Sequence, residues 1–178
     1  MKACFVLLFC LLYASWSAAQ APASKPNHDA TMCPAHDMRS QDATQDHDAM
    51  NHRGEKGMGF SQTKTAHHFL ITANGGAIQV EANNPEDLTN RDNIKMHLHH
   101  IADAFQTGDF DIPMFVHDTE PPGVVVMKSH AKNIHYSIEE TPNGGRVVIQ
   151  TDDKDALAAI HQFLRFQIEE HKTSDPLK

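Results

Sequence analysis

Cysteine is scarce in this 178-residue chain: it has three, and Cys4 and Cys10 stand in the apolar N-terminal segment. Without that segment only Cys33 remains, so no intramolecular disulfide can form and packing must stabilise the fold. Basic residues are also few, 15 Lys and Arg against 23 Asp and Glu, and the net charge of −8 argues against a nucleic-acid-binding face. The length allows one domain of about 100–150 residues with extra segments, which excludes two-domain enzymes.

Long hydrophobic runs are missing as well. The apolar stretch that follows Lys2 ends in the small residues Ser17, Ala18 and Ala19, and it is too short to cross a bilayer. This pattern is typical of a secretory signal peptide over residues 1–19. We therefore expect a periplasmic or secreted protein that has no stable membrane insertion once the peptide is removed.

Histidine and methionine are abundant by contrast, with 14 and 8 copies. Residues 20–58 have almost no aliphatic side chains and no periodicity, which predicts a disordered tail. Its imidazole, thioether and thiol groups suit copper, with zinc or nickel as alternatives. The competing interpretation is a compositionally biased linker. The candidate ligands in this tail are Met32, Cys33, His36, Met38, His47, Met50 and His52.

From residue 59 onward one pattern occurs twice: a β-prone run, an Asn-Gly-Gly turn, a second β-prone run and a helix. Asn74-Gly75-Gly76 and Asn143-Gly144-Gly145 suit tight hairpin turns. The sequence predicts an α+β domain in which a duplicated ββα unit, residues 65–110 and 133–175 around a connector 111–132, forms one antiparallel sheet with helices on one face. The apolar stripes of the two helices are Ile94, Leu98, Ile101 and Phe105, then Leu157, Ile160, Leu164 and Ile168.

The helix ends also have signals in the sequence. Pro85 and Asp92 are expected to precede the first helix, and Asp152 and Asp153 to open the second. Within the connector, the Pro121-Pro122 pair predicts a short helix that runs to about Lys132. His117 is expected in a loop before that helix.

Four histidines of the domain are candidates for an ordered metal site. His67 shares a strand face with Phe69, and His97 and His100 are i, i+3 neighbours on one helix flank. His117 completes the set. The ordinary alternatives are a ring that caps the sheet edge and a solvated helix flank. His161 and His171 lie about 15 Å apart on one helix, so we expect a core position and a helix C-terminus for them instead of a shared site.

Motifs for catalysis are absent: the sequence has no G-x-S-x-G, P-loop or G-x-G-x-x-G. The leading hypothesis is therefore an exported, non-catalytic protein that binds a transition metal, copper first, for buffering or delivery. One alternative is a periplasmic enzyme or small-ligand binder with a His-lined cleft between the two repeats. Another is a protein-interaction module that pairs through its sheet.

The segments GMGF, HLHHIADAFQTGDF and AIHQFLRFQIEEHKTSD resemble a family of small exported bacterial proteins, over roughly Gly57 to Pro176. That resemblance implies no activity. The name aspartate carbamoyltransferase, which such proteins can carry, does not fit, because the chain is too short and lacks a Ser-Thr-Arg-Thr phosphate loop. Over seven residues, MCPAHDM is similar to the Met/Cys-Pro-x-His clusters of copper- and heavy-metal-handling segments.

Overall fold

The computed structural model describes residues 34–178, with side chains from Asp46 onward. These residues form one compact unit, Pro34–Lys178. Short 3₁₀ turns at Gln62–Lys64 and Ala131–Asn133 precede the two hairpins. The helices and strands in chain order are α1 (Pro34–Met58), β1 (Thr65–Thr72), β2 (Gly75–Ala82), α2 (Leu88–Gln106), α3 (Asp111–His117), α4 (Val124–Ser129), β3 (Ile134–Thr141), β4 (Gly144–Thr151) and α5 (Lys154–Glu170).

The four strands form one antiparallel sheet in the order β1-β2-β4-β3. Each hairpin closes with two residues between its strands, because Thr72 pairs with Gly75 and Thr141 pairs with Gly144. The second strands of the two hairpins, β2 and β4, pair with each other and join the repeats at the centre of the sheet. The predicted α+β fold with its duplicated ββα unit is confirmed.

The hydrophobic core lies between one face of the sheet and the helices α2 and α5. Alternate residues of each strand point into it, as period-two geometry requires. All four residues of the first predicted stripe are buried, and so are three of the second, while Leu157 is half-buried. The largest fully buried side chains include Phe105, Phe110, Phe163, Leu98, Ile149 and Leu164.

Acidic side chains cap both long helices of the repeats. The Asp153 carboxylate accepts hydrogen bonds from the backbone N–H groups of Asp155 and Ala156, as the sequence predicts for the start of α5. In α2 the cap is Asp87, which accepts from the Asn90 N–H, so this helix begins before Asp92. The cap side chains satisfy backbone donors that have no partner within the helix.

The connector contains two short helices where the sequence predicts one. Phe110, whose ring stacks on Phe105 at a centroid distance of 4.2 Å, precedes α3 and anchors it to the core. Helix α3 ends at His117, so the prediction that this residue lies in a loop is wrong. The predicted helix after Pro121-Pro122 is shorter than expected, since α4 ends at Ser129.

The predicted disorder of residues 20–58 is wrong for the part that the structure describes, because Pro34–Met58 is helix α1. Tertiary contacts stabilise its C-terminal half: Met50 is buried, and the Arg53 Nε donates to the Val116 carbonyl oxygen at 2.8 Å. The predicted signal peptide, residues 1–19, lies outside the described residues. Within Pro34–Lys178, none of the helices combines the length and the apolar run needed to cross a bilayer.

Candidate metal centre

A small cavity of about 60 Å³ is enclosed by residues of the sheet and of the helices α2, α3 and α5, and four histidines contribute to its wall. We call it the histidine cavity. Most of the remaining lining is apolar and comes from the sheet, α2, α3 and α5; Met58 and Gln167 add a thioether and an amide. The four histidines are His67, His97, His117 and His171.

Four different elements position these rings. His67 on β1 shares the core face with Phe69, because residues two apart on a strand point the same way. His97 stands on α2 beside the buried Leu98, and His117 ends α3. His171 is the C-cap of α5, and its backbone N–H donates to the Gln167 carbonyl oxygen at 3.0 Å.

The segment after α5 is fixed against β1. One oxygen of the Asp175 carboxylate accepts from the backbone N–H of Phe69 at 2.9 Å, and the other lies 3.0 Å from the Nδ1 of His68. These contacts join the end of the second repeat to the first strand of the first repeat. They place His171 next to His67, although the two are 104 positions apart in the sequence.

His67, His117 and His171 form a chain of ring contacts, which we call the three-histidine cluster. The His171 ring lies between the other two. Its centroid is 5.5 Å from that of His67, with the planes 16° apart, and 5.2 Å from that of His117, with the planes 87° apart. His97 stands to one side, with its ring 5.5 Å from that of Phe60.

Two ring nitrogens of the cluster are buried without a hydrogen-bond partner among the described residues: Nε2 of His67 and Nδ1 of His117. His117 donates from Nε2 to the Gln167 Oε1 at 2.8 Å. In a neutral imidazole that bond leaves the lone pair on Nδ1. Since buried polar atoms in folded proteins nearly always have a partner, the cluster is suited to a further ligand.

Burial keeps these imidazoles uncharged. It lowers the pKa of His67 to about 4, with His97 and His68 as further causes, and lowers that of His97 to about 4, with His100 as the second cause. The pKa of His171 falls well below its ordinary value, first through burial and then through His67, His117 and His47. Burial also lowers the pKa of His117, against the opposing effect of Gln167 and Glu170.

The structure brings together three of the four histidines predicted for the ordered site: His67, His97 and His117. The fourth, His100, is exposed and does not line the cavity. In the predicted tail, His47 is half-buried, Met50 is buried and His52 is exposed. Met32 and Cys33 lie outside the described residues, and His36 and Met38 lie on the part of α1 whose side chains are not described.

His171 is the member of the cluster that sequence reasoning missed. Its expected place at a helix C-terminus is correct, but the spacing along the chain gave no sign that the ring also contacts those of His67 and His117. The distance along α5 excludes a site shared by His171 and His161, but it carries no information about His67 or His117. His161 serves a different purpose: its Nε2 donates to the carbonyl oxygens of Thr72 and Gly75 and holds the first hairpin turn.

Among the side chains that the structure describes, no three or more His, Cys, Asp or Glu groups already stand in an arrangement that could hold a metal ion. Comparison of the chain with protein-family models, curated protein sequences and solved structures finds no match. The resemblance to small exported bacterial proteins therefore stays a prediction.

Proposed function

We propose that the protein binds one transition-metal ion, copper in preference to zinc or nickel, through His67, His117 and His171, and that it buffers or delivers the ion without transforming it. The observation that carries this proposal is the contact of three imidazoles, of which His117 is buried and His67 and His171 are half-buried. Two of them have a buried ring nitrogen without a partner among the described residues. The predicted signal peptide would place this function in the periplasm or outside the cell.

The protonation state of the cluster favours a cation. A metal binds the lone pair of a neutral imidazole and competes with protons for it. The lowered pKa values of all three rings leave those lone pairs free at neutral pH. In addition, the bond from His117 to Gln167 is of the kind that fixes the tautomer and orientation of a metal-bound histidine.

The spacing of the rings fits shared coordination. With a metal–nitrogen bond of about 2.0 Å and roughly 1.1 Å from the nitrogen to the ring centre, two imidazoles at a tetrahedral angle have centroids about 5.1 Å apart. The centroids of His171 and its two neighbours are 5.2 and 5.5 Å apart. Each neighbouring pair of rings is thus close enough to share an ion. Binding by all three requires that the stacked pair, His67 and His171, rotate and that His67 and His117 turn toward the same point.

The surroundings favour a soft ion of low charge. The histidine cavity is lined mainly by apolar groups, and moving an ion into such a medium costs more as its charge rises. Met58 adds a thioether to the wall, a group that prefers Cu(I). The volume of about 60 Å³ is also far below the roughly 300–1,000 Å³ of sites for organic ligands.

The test is a copper titration of the chain without residues 1–19, in which Cu(I) is transferred from a chromophoric chelator. We expect one tight ion per chain. His171→Ala should weaken it by more than the roughly 10–100-fold typical for loss of an outer-shell partner, because a ligand is removed. His100→Ala is the matched control and should leave affinity unchanged, since His100 is exposed and outside the cavity.

The possible results separate the interpretations. Weakening by His100→Ala without weakening by His171→Ala would move the site to the His97 and His100 pair on α2, and equal weakening by both would contradict the three-histidine site. Equal uptake by the wild type and a triple His67, His117 and His171 variant would contradict an ordered site and leave only the tail ligands. Tighter binding of Zn(II) or Ni(II) than of copper in the same assay would reverse the proposed order of metals.

A further inference from the structure

A second, larger cavity adjoins the histidine cavity. Its volume is about 450 Å³, and residues from the C-terminal half of α1 and from the ends of α3 and α5 surround it. We call it the vestibule. His117 belongs to the lining of both cavities, so its ring stands in the wall between them.

The vestibule is polar and has an excess of negative charge. Four carboxylates face two cations, so the lining has a formal charge of −2 when its histidines are neutral. The charged residues are Asp46, Asp118, Glu169 and Glu170 against Arg53 and Lys172. One cation is already engaged, because Arg53 donates to the Val116 carbonyl oxygen. An acidic lining of this kind raises the local concentration of cations.

Two imidazoles belong to the vestibule lining, and each has one ring nitrogen without a hydrogen-bond partner among the described residues. His117 is only 9% exposed, and its Nδ1 has no partner among the described residues. His47, on α1, likewise has a buried Nε2 without a partner, while its Nδ1 lies 3.2 Å from the side-chain nitrogen of Asn51. A flip of the Asn51 amide replaces this donor by the amide oxygen, so that Nδ1–H donates and Nε2 offers its lone pair.

We infer that the vestibule is a second cation site, at which a metal ion binds to His47 before it passes His117 and reaches the three-histidine cluster. This inference rests on the function proposed above. In this inference α1 takes part in metal uptake through His47, which is not one of the three final ligands.

The two volumes support a stepwise transfer. Six waters occupy about 180 Å³ at roughly 30 Å³ each, so the vestibule of about 450 Å³ has ample room for a hydrated ion, whereas the histidine cavity of about 60 Å³ has far less space. We therefore expect the ion to lose water as it moves inward. Exchange of each water for an imidazole nitrogen, first of His47 and then of His117, replaces the lost ligands along the way.

The test measures the rate and the equilibrium of Cu(I) transfer from a chromophoric chelator by stopped-flow absorbance, with protein concentration varied so that the bimolecular step is resolved. For His47→Ala we expect binding and release to slow by the same factor, about fivefold or more, with the dissociation constant unchanged. The matched control is His52→Ala, which removes an exposed imidazole from the same helix. It should bind copper at the wild-type rate.

Charge is tested separately. The double variant Asp46→Asn, Glu170→Gln should slow binding about fivefold and weaken its dependence on salt, because steering by carboxylates is screened. The control is Asp48→Asn, on α1 like Asp46 but outside the vestibule, which should leave the binding rate and its salt dependence unchanged. Circular dichroism of each variant checks that α1 remains helical.

The outcomes distinguish this inference from the proposed function. If the wild type binds copper and His47→Ala binds it at an unchanged rate, the ion does not enter through the vestibule. This inference then fails, while the proposed three-histidine site stands. If His47→Ala weakens equilibrium binding as much as His171→Ala does, His47 is a final ligand and the inference also fails. If the wild type binds no copper, zinc or nickel, both proposals fail together.

Discussion

At the scale of single residues, His67 and His97 lie in surroundings that favour the uncharged imidazole. Both face the cavity next to Phe60 and away from carboxylates that would stabilise a proton on the ring. Loss of hydration is the largest cause of their lowered pKa values, and other histidines add to it. Imidazoles with such lowered pKa values can bind a metal at neutral pH, but they make the folded state sensitive to acid.

We expect the free energy of unfolding to decrease as the pH falls from 7 to 4. In this window the unfolded chain binds protons at His67 and His97 with a pKa near 6.5, whereas the folded chain does so only near 4. One pKa unit corresponds to about 1.4 kcal/mol, so the two residues account for several kcal/mol. Thermal unfolding at pH 7, 6, 5 and 4 measures this, and the decrease should be smaller in His67→Gln.

The control for this experiment is His52→Gln, whose ring is exposed. It should retain the pH dependence of the wild type. Identical curves for His67→Gln and the wild type would show that acid destabilisation arises elsewhere in the molecule.

At the scale of elements, the start of the short helix α4 packs closely against the long helix α5. Gly123 is the N-cap of α4, has a φ of 90° and lies against α5, so that an added Cβ would stand 2.2 Å from the Ala159 carbonyl oxygen. Gly59, just after α1, also has a positive φ of 78°, but an added Cβ there would contact nothing within 4 Å. The two glycines thus share a backbone requirement and differ in packing.

Substitution of these glycines separates backbone strain from close packing. Gly59→Ala should lower the free energy of unfolding by about 1–2 kcal/mol, the cost of a left-handed residue with a Cβ. Gly123→Ala should cost distinctly more, because α4 must also move away from α5. Urea denaturation of both variants tests this, and equal losses would mean that the contact between α4 and α5 yields at little cost.

At the scale of the whole molecule, α1 depends on the rest of the domain. Its sequence is rich in Asp and His and has no apolar stripe, so it has little tendency to stay helical by itself. Contacts with the rest of the domain are seen in its second half, the part whose side chains are described: Met50 is buried, and Gly57 lies against Phe115 and Val116. Because α1 also supplies part of the vestibule wall, its docking and metal uptake should depend on each other.

We therefore expect Met50→Ser to undock α1. The helical signal in far-ultraviolet circular dichroism should decrease, and protease cleavage within residues 46–58 should become faster, while the ββα units remain folded. His52→Ser removes an exposed side chain from the same helix and should do neither. An unchanged spectrum and cleavage rate in Met50→Ser would show that α1 is stabilised by other contacts.

Much of the fold was predictable because each ββα unit carries its own local signals. The Asn-Gly-Gly turns fix the hairpins, and the stripe from Ile94 to Phe105 identifies the buried face of α2. The helicity of Pro34–Met58 was not predictable from periodicity, since α1 packs against α3 and Arg53 has its partner, the Val116 carbonyl oxygen, there. The site was predictable in part: His67 faces the core by strand alternation, whereas the role of His171 depends on a neighbour 104 residues away.

The sequence by itself determined the elements, their order in each repeat and the direction in which most side chains point, because these depend on neighbours a few residues apart. Only the tertiary structure decided which histidines meet. The strand order β1-β2-β4-β3 and the tether from Asp175 to Phe69 bring the end of α5 to the first strand. Such pairings arise from packing of distant segments, and spacing along the chain does not encode them.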